Sequence, residues 1–270
     1  MLFVDNAMAR RIEFAEAHIG RENASAMARL HPESAAEVEQ IAGGWAGFCG
    51  AESPLTQAIG IGMEGPVSED EIDRLEDFYR SRGAAVRLIL SPMADPSLLE
   101  LTGRRGYRLA EFENVLINPL DEIEPASPLS DLEILRVGLT DADLWVNTVA
   151  RGFSEGQEIP PVLMQCMPIL FHIDGAECYL ARVNGEPAGG AGMAIYGGVA
   201  AIFGAATLIE FRNRGIQTAL LRRRLEAAKA AGCDFAVVCT KPGSVSQRNV
   251  QRQGFRVAYT KAAMVLAENL

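Results

Sequence analysis

The chain has 270 residues, which is enough for two domains that each bury a core. Acidic residues outnumber basic residues by 35 to 25, and the longest basic run is three arginines, so an extended contact with nucleic acid is not expected. Scattered cysteines without a Cys-x-x-Cys pair, three histidines without a metal-binding spacing and no apolar run of about 18 residues predict a cytoplasmic protein with neither a metal site nor a membrane partner.

Five elements are predicted in the first half of the chain, the last of them a strand after residues 106–108. A helix at residues 68–82 begins with a capping box, in which Ser68 and Glu71 each satisfy a main-chain N–H of the other. The other elements with predicted bounds are a strand at residues 57–63, a strand at residues 86–90 and a short helix at residues 96–104. A Gly-aromatic-Arg sequence at residues 106–108 follows the short helix.

A stretch rich in proline and acidic residues, at residues 119–130, lacks the periodicity of a helix or a strand. We interpret it as a linker. The predicted domains are therefore residues 1–118 and residues 131–270.

The second half is predicted to contain strands and helices in turn. Asn184 and Gly185 favour the positive φ angles of a tight hairpin, and Gly197 and Gly198 make the next turn. The strand after that turn is apolar and small, which is typical of a strand buried on both faces. The predicted strands lie at residues 132–137, 178–183, 186–196, 199–208 and 235–240, with a terminal pair at 255–266, and the predicted helices at residues 140–153, 161–171, 215–230 and 244–253.

The two halves share an order of elements. Each contains a helix, a glycine, a strand, a short helix, a Gly-aromatic-Arg sequence and a final strand, which we interpret as an internal duplication of an α/β domain. The alternative is that two α/β domains share this order by accident, since short elements are common.

One segment, residues 211–221, has the sequence features of an anion-binding site. It lies between a buried strand and the start of a helix, where main-chain N–H groups lack acceptors and the helix dipole favours an anion. Gly215 allows close approach of the anion, and Arg212 and Arg214 add positive charge. The segment is not a P-loop. The alternative is an ordinary exposed helix start with solvated arginines.

The segment resembles the pyrophosphate-binding motif of the GNAT family of N-acetyltransferases, Gln/Arg-x-x-Gly-x-Gly/Ala, with Arg212, Gly215 and Gln217 at the defining positions. Gln217 departs from the usual small residue. Residues 246–255 resemble the family's Ser-x-Arg-Asn-x-x-x-x-Gly-Phe sequence, which flanks the pantetheine arm. The resemblance implies an α/β fold of tandem GNAT-like mixed sheets flanked by helices, with the second copy complete.

The resemblance also implies acetyl-CoA as the acyl donor. The strand end at residues 205–208 is expected to offer main-chain groups to the pantetheine amides. The Arg222-Arg223-Arg224 triplet on the following helix is interpreted as a solvated face rather than a contact to the ribose phosphate. The cofactor-binding residues so predicted are Ala205, Thr207, Leu208, Arg212, Asn213, Arg214, Gly215, Ile216, Gln217, Thr218, Ser246 and Asn249.

The first half departs from the motif at the equivalent loop. Glu64 repels phosphate, Pro66 lacks an N–H, and no arginine is present. This half resembles a degenerate GNAT-like domain without a cofactor site, which completes the fold or walls the acceptor cleft.

Catalytic residues are hard to place. Many GNAT enzymes carry a tyrosine four residues before the Gly-Phe pair, and this chain has Val250 there. Ser246 could donate the proton instead, although a serine at a helix start is commonly a cap. Glu210 is the nearest candidate base, although it could equally pair with Arg212 or Arg214. Catalysis is therefore expected mainly from positioning and polarisation by strand amides.

These observations predict an acyltransferase that moves an acetyl group from acetyl-CoA to the amine of a small molecule by direct attack in a ternary complex. The alternative is a non-catalytic sensor or interaction protein that binds acyl-CoA. A protein terminus as the acceptor is a third possibility.

Overall fold

The computed structural model of the chain describes residues 3–123 and 131–266. The chain divides into two compact units. The first unit comprises Met1–Ile117, Cys239–Gln251 and Phe255–Leu270, and the second unit comprises Asn118–Val238 and Arg252–Gly254. Most of the predicted linker, residues 124–130, lies outside the described residues, and residues 119–122 end a strand and form a 3₁₀ turn.

The described residues form seven α-helices and eleven strands. The helices are α1 (Asn6–Leu30), α2 (Glu69–Arg80), α3 (Pro96–Arg104), α4 (Ala142–Phe153), α5 (Pro161–Phe171), α6 (Ile216–Ala230) and α7 (Val245–Gln251). The strands are β1 (Glu37–Ile41), β2 (Gly44–Phe48), β3 (Gln57–Ile59), β4 (Val86–Leu90), β5 (Arg108–Pro119), β6 (Leu132–Val137), β7 (Glu177–Val183), β8 (Glu186–Tyr196), β9 (Val199–Thr207), β10 (Phe235–Thr240) and β11 (Arg256–Leu266).

The first unit has strands in the order β1-β2-β3-β4-β11-β5. The last strand of the chain, β11, pairs antiparallel with both β4 and β5. It is one strand of 11 residues rather than the predicted pair. Residues 255–266 therefore pack with the first unit, although the predicted boundary assigns them to the second domain. Strand pairing joins residues that are distant in sequence, so no local pattern specifies the partner.

Buried charged groups attach β11 to α1 within the first unit. Lys261 is 1% exposed and forms an ion pair with Glu16, and the Tyr259 hydroxyl donates to Glu13 Oε1 at 2.7 Å. Burial raises the pKa of Glu13. Because opening such a pair leaves a charge buried and uncompensated, this network favours the docked position of the terminal strand.

Two predictions in the first half have different outcomes. The capping box is confirmed, because the Glu71 N–H donates to Ser68 Oγ and the Ser68 N–H donates to Glu71 Oε2. The strand predicted at residues 57–63 is shorter, because Gly60 and Gly62 have φ angles of 77° and 72°. Left-handed residues cannot continue a strand, so the chain turns away after β3.

The second unit has strands in the order β10-β9-β8-β7-β6. β10 runs parallel to β9, and the other neighbours are antiparallel. The predicted hairpin is confirmed, since Asn184 and Gly185 have φ angles of 51° and 84°. Gly197 and Gly198, at 55° and 75°, make the turn between β8 and β9. The mixed sheet of this unit agrees with the predicted α/β class.

Glycines on β8 allow helices to approach the sheet from both faces. A Cβ atom on Gly189 would lie 2.6 Å from Ala206 O of β9 and 3.4 Å from Ile216 of α6, and one on Gly190 would lie 2.7 Å from Val149 of α4. Because successive strand positions point to opposite faces, α4 and α6 cover opposite faces of the sheet. Any larger side chain on Gly190 would push α4 away.

A β-bulge interrupts β9 before its end. Gly190 pairs with Ala206, and Gly192 pairs with Phe203. One residue of β8 and two residues of β9 lie between these pairs, so β9 carries the extra residue. Gly204 adopts a φ of 60° there, which is the left-handed region that favours glycine. The bulge changes the direction of the strand where the predicted cofactor-binding residues begin, at Ala205.

Candidate functional site

The loop between β9 and α6 ends in an uncapped helix start. Residues Ile209–Phe211 form a 3₁₀ turn, and Asn213 and Gly215 have φ angles of 62° and 77°. No side chain caps α6, and its first turn contains no acidic residue. Because the first N–H groups of a helix have no intrahelical acceptors, this loop presents donors and the positive end of the helix dipole to an anion.

The loop arginines are held by carboxylates from other elements of the second unit. Arg212 Nη2 lies 3.1 Å from Glu155 Oε1, and Arg214 Nη2 lies 2.6 Å from Asp131 Oδ2. All four side chains are between 37% and 68% exposed. Exposed ion pairs of this kind contribute about 0–1 kcal/mol, so an arriving anion can replace the carboxylates at small cost.

The end of β9 contains one unsatisfied hydroxyl. Thr207 Oγ1 is buried and has no hydrogen-bond partner among the described residues. In contrast, both main-chain groups of Leu208 are engaged, because its N–H donates to Ala188 O and its carbonyl accepts from the Phe211 N–H, each at 2.9 Å. A buried polar atom without a partner is costly, so Thr207 is suited to a hydrogen bond with a ligand.

The second motif lies in α7, which belongs to the first unit, whereas the loop belongs to the second. Ser246 is exposed and is not the cap, because the Gln247 N–H donates to Ser244 Oγ at 3.1 Å. Asn249 is half-buried and has a partner. Val250, at the position of the family's tyrosine, is 6% exposed.

Glu210 is exposed and forms an ion pair with Arg151 at 3.3 Å. Its partner therefore differs from both arginines considered in the sequence analysis. The pair keeps the carboxylate at the surface of the second unit, beside the helix α4 that carries Arg151.

The arginine triplet is not a uniformly solvated face. Arg223 is exposed and stands over the Tyr179 ring at 5.6 Å, and Arg222 Nε donates to Gln253 at 3.1 Å. Arg224, however, is only 2% exposed. The sequence does contain a signal for this burial, because Arg224 is four residues from both Leu220 and Ala228 and so lies on the apolar face of α6.

The described part of the chain lacks a metal-binding cluster and a membrane-spanning helix. Within residues 3–123 and 131–266, no group of three or more His, Cys, Asp or Glu side chains could hold a metal ion. No helix in the same ranges is both long enough and apolar enough to cross a membrane.

The second unit thus combines an uncapped helix start, with two arginines in the loop before it, and a bulged strand. Residues 145–255 match the family model described as "Acetyltransferase (GNAT) family", which covers both predicted motifs. This segment is therefore a GNAT domain, and the predicted family is confirmed for residues 145–255. A search of the curated proteins gives no match.

Solved structures confirm the predicted fold over most of the chain. A GCN5-related N-acetyltransferase from Kribbella flavida is similar over 92% of this chain and 94% of its own, with a TM-score of 0.64 and 15% identity. A tandem GNAT protein from the clavulanic acid biosynthesis pathway is similar over 91% of this chain and 87% of its own, with a TM-score of 0.60 and 12% identity. A GCN5-related N-acetyltransferase from Sphaerobacter thermophilus covers 73% of this chain and 66% of its own, with a TM-score of 0.56 and 18% identity.

Proposed function

We propose that the chain is an acyltransferase that binds acetyl-CoA in its second half and transfers the acetyl group to the amine of a small molecule. The observation that carries this proposal is the uncapped start of α6, with Gly215 in the left-handed region and Arg212 and Arg214 beside it. Within a GNAT domain, this combination suits a pyrophosphate.

The residues of the loop and the strand end fit the cofactor. The first N–H groups of α6, with Arg212 and Arg214, would hold the pyrophosphate. The unsatisfied Thr207 hydroxyl would bond the pantetheine arm, with main-chain groups at Ala205 beside it. Both Leu208 main-chain groups are already engaged, the N–H with Ala188 O of β8 and the carbonyl with the Phe211 N–H of the loop, so the strand contribution is limited to the residues before it.

When bound, acetyl-CoA supplies a thioester that an amine can attack. The chain contributes orientation, through the fixed end of β9, and main-chain donors for the negative charge that develops on the carbonyl oxygen. Neither predicted catalytic residue is well placed as a dedicated acid or base, because Glu210 is ion-paired at the surface and Ser246 is exposed. Proton transfer through water, a factor of about 10²–10⁴, is part of the proposal.

The first half is proposed to lack a cofactor site, for the reasons that the sequence indicates at Glu64 and Pro66. The net charge of −10 favours a cationic amine as the acceptor. A cytoplasmic location is also part of the proposal, since all five cysteines are free thiols.

A second candidate is a non-catalytic acyl-CoA sensor, which the ion-paired state of Glu210 favours. One experiment separates the two. Calorimetry with coenzyme A tests binding, and release of free thiol from acetyl-CoA, measured with a panel of small amines, tests transfer. Binding with amine-dependent thiol release supports the enzyme. Binding without release for any amine supports the sensor, and the absence of binding contradicts both.

A further inference from the structure

The buried arginine of α6, Arg224, donates hydrogen bonds to three main-chain carbonyls. Its Nε donates to Leu220 O at 3.1 Å, and its Nη1 donates to Gly192 O at 3.0 Å and to Phe203 O at 3.4 Å. The first contact anchors the side chain to its own helix. The other two place one nitrogen between strands β8 and β9.

Arg224 has no carboxylate counter-ion among the described residues. The titratable groups that act on its charge are Tyr179 and Cys178. Burial raises the pKa of both neighbours, to about 12 for the Cys178 thiol, so both are neutral near pH 7. Burial lowers the pKa of Arg224 to about 10, so the guanidinium itself stays charged.

Burial of such an unpaired charge lowers the stability of the folded protein. Transfer of an unpaired ion into the interior costs several kcal/mol, and an apolar side chain of similar volume would avoid this cost. Leu220 and Ala228 show that the surrounding face of α6 is apolar. Packing alone therefore does not explain an arginine here, and the hydrogen bonds that it makes must account for it.

Those hydrogen bonds lie at the β-bulge. Gly192 and Phe203 form the last regular pair before the extra residue of β9, where Gly204 is left-handed. A bulge interrupts the ladder and leaves main-chain groups in need of partners. One cationic nitrogen satisfies a carbonyl on each strand, and charge-assisted hydrogen bonds are about twice as strong as neutral ones.

The bulge in turn sets the course of the strand end. Only two residues separate Gly204 from Thr207, whose hydroxyl is buried and unsatisfied. We propose that Arg224 is a positioning residue, which fixes the bulge and so holds the Thr207 end of β9 in the conformation that receives the pantetheine arm. This inference rests on the proposed binding of coenzyme A and adds a residue that acts through the strand rather than by contact with the cofactor.

The test compares two ligands by calorimetry. Coenzyme A uses both the loop and the strand end, whereas ADP lacks the pantetheine arm and uses the loop alone. Arg224→Met keeps the volume and removes the charge, Arg224→Lys keeps a charge with fewer donors, and Arg223→Met is the matched control on the exposed face. We expect Arg224→Met to lower the affinity for coenzyme A about tenfold and the affinity for ADP less than twofold. Arg224→Lys should have an intermediate effect on coenzyme A affinity, and Arg223→Met should have the affinities of the wild type.

Each outcome bears on the inference. Parallel losses for the two ligands, or no loss for coenzyme A, would overturn it, because a general structural role does not distinguish them. If Arg224→Met does not fold, the test uses Arg224→Lys alone. A loss of affinity of about threefold for coenzyme A but not for ADP supports the positioning role, and equal changes in affinity for both ligands refute it. If the wild-type protein binds neither ligand, the proposed function itself is wrong and this inference fails with it.

Discussion

Substitution of Gly215 separates the conformation of the loop from its charge. The residue has a φ of 77° and a ψ of 2° and directly precedes α6. Gly215→Ala imposes the left-handed conformation on a residue with a Cβ atom, at about 1–2 kcal/mol. For a chain of this size we expect the melting temperature to fall by about 2–8 °C. The affinity for coenzyme A should fall by at most about tenfold, because the loop keeps its donors.

Gly215→Asp adds a carboxylate at the same place. Interaction of this carboxylate with the helix dipole stabilises the folded protein by about 0.3–1 kcal/mol, so Gly215→Asp should be no less stable than Gly215→Ala. A carboxylate about 5 Å from a phosphate at an effective dielectric constant of about 20 is repelled by about 3 kcal/mol. Coenzyme A affinity should therefore fall on the order of a hundredfold.

The assay is calorimetric titration of coenzyme A into the wild type and both variants, with thermal melting of each free protein. The expected result is an inversion, in which Gly215→Asp is the more stable variant and the weaker binder. An affinity for Gly215→Asp within about threefold of the wild type would refute the anion site.

Further predictions concern stoichiometry, charge and catalysis. A titration should reach one coenzyme A per chain, and two equivalents would contradict a first half without a site. Glu155→Gln removes the ion pair with Arg212 and should raise the affinity for coenzyme A, measured by calorimetry, by up to about fivefold. Weaker binding would show that the ion pair shapes the loop. With a confirmed acceptor, Glu210→Gln and Ser246→Ala should each keep appreciable turnover, and a loss above about a thousandfold in kcat at unchanged affinity would reveal a dedicated acid or base. Burial raises the pKa of Glu13, so the folded protein loses stability as pH rises above the ordinary carboxyl pKa and the buried side chain ionises. The melting temperature of Glu13→Gln minus that of the wild type should therefore be larger at about pH 8 than at about pH 5. An equal difference at the two pH values would show that Glu13 does not titrate there.

The local features of the second half could be predicted from the sequence. The hairpin at Asn184 and the helix that follows Gly215 depend on residues within a few positions of each other. Glycine at a left-handed position and an apolar face at helical spacing are properties of the chain itself. In the first half α1 was missed, although Asp5 is a capping residue whose side chain accepts from the Met8 N–H.

The sequence by itself thus determined the α/β class, the order of most elements and the position of the helix start after Gly215. Only the tertiary structure decided that β11 pairs within the first unit, that Glu155 and Asp131 hold the loop arginines, and that Arg224 is buried against a bulge. Each of these joins residues that are distant along the chain, and their energies depend on burial and on partners that no local pattern specifies.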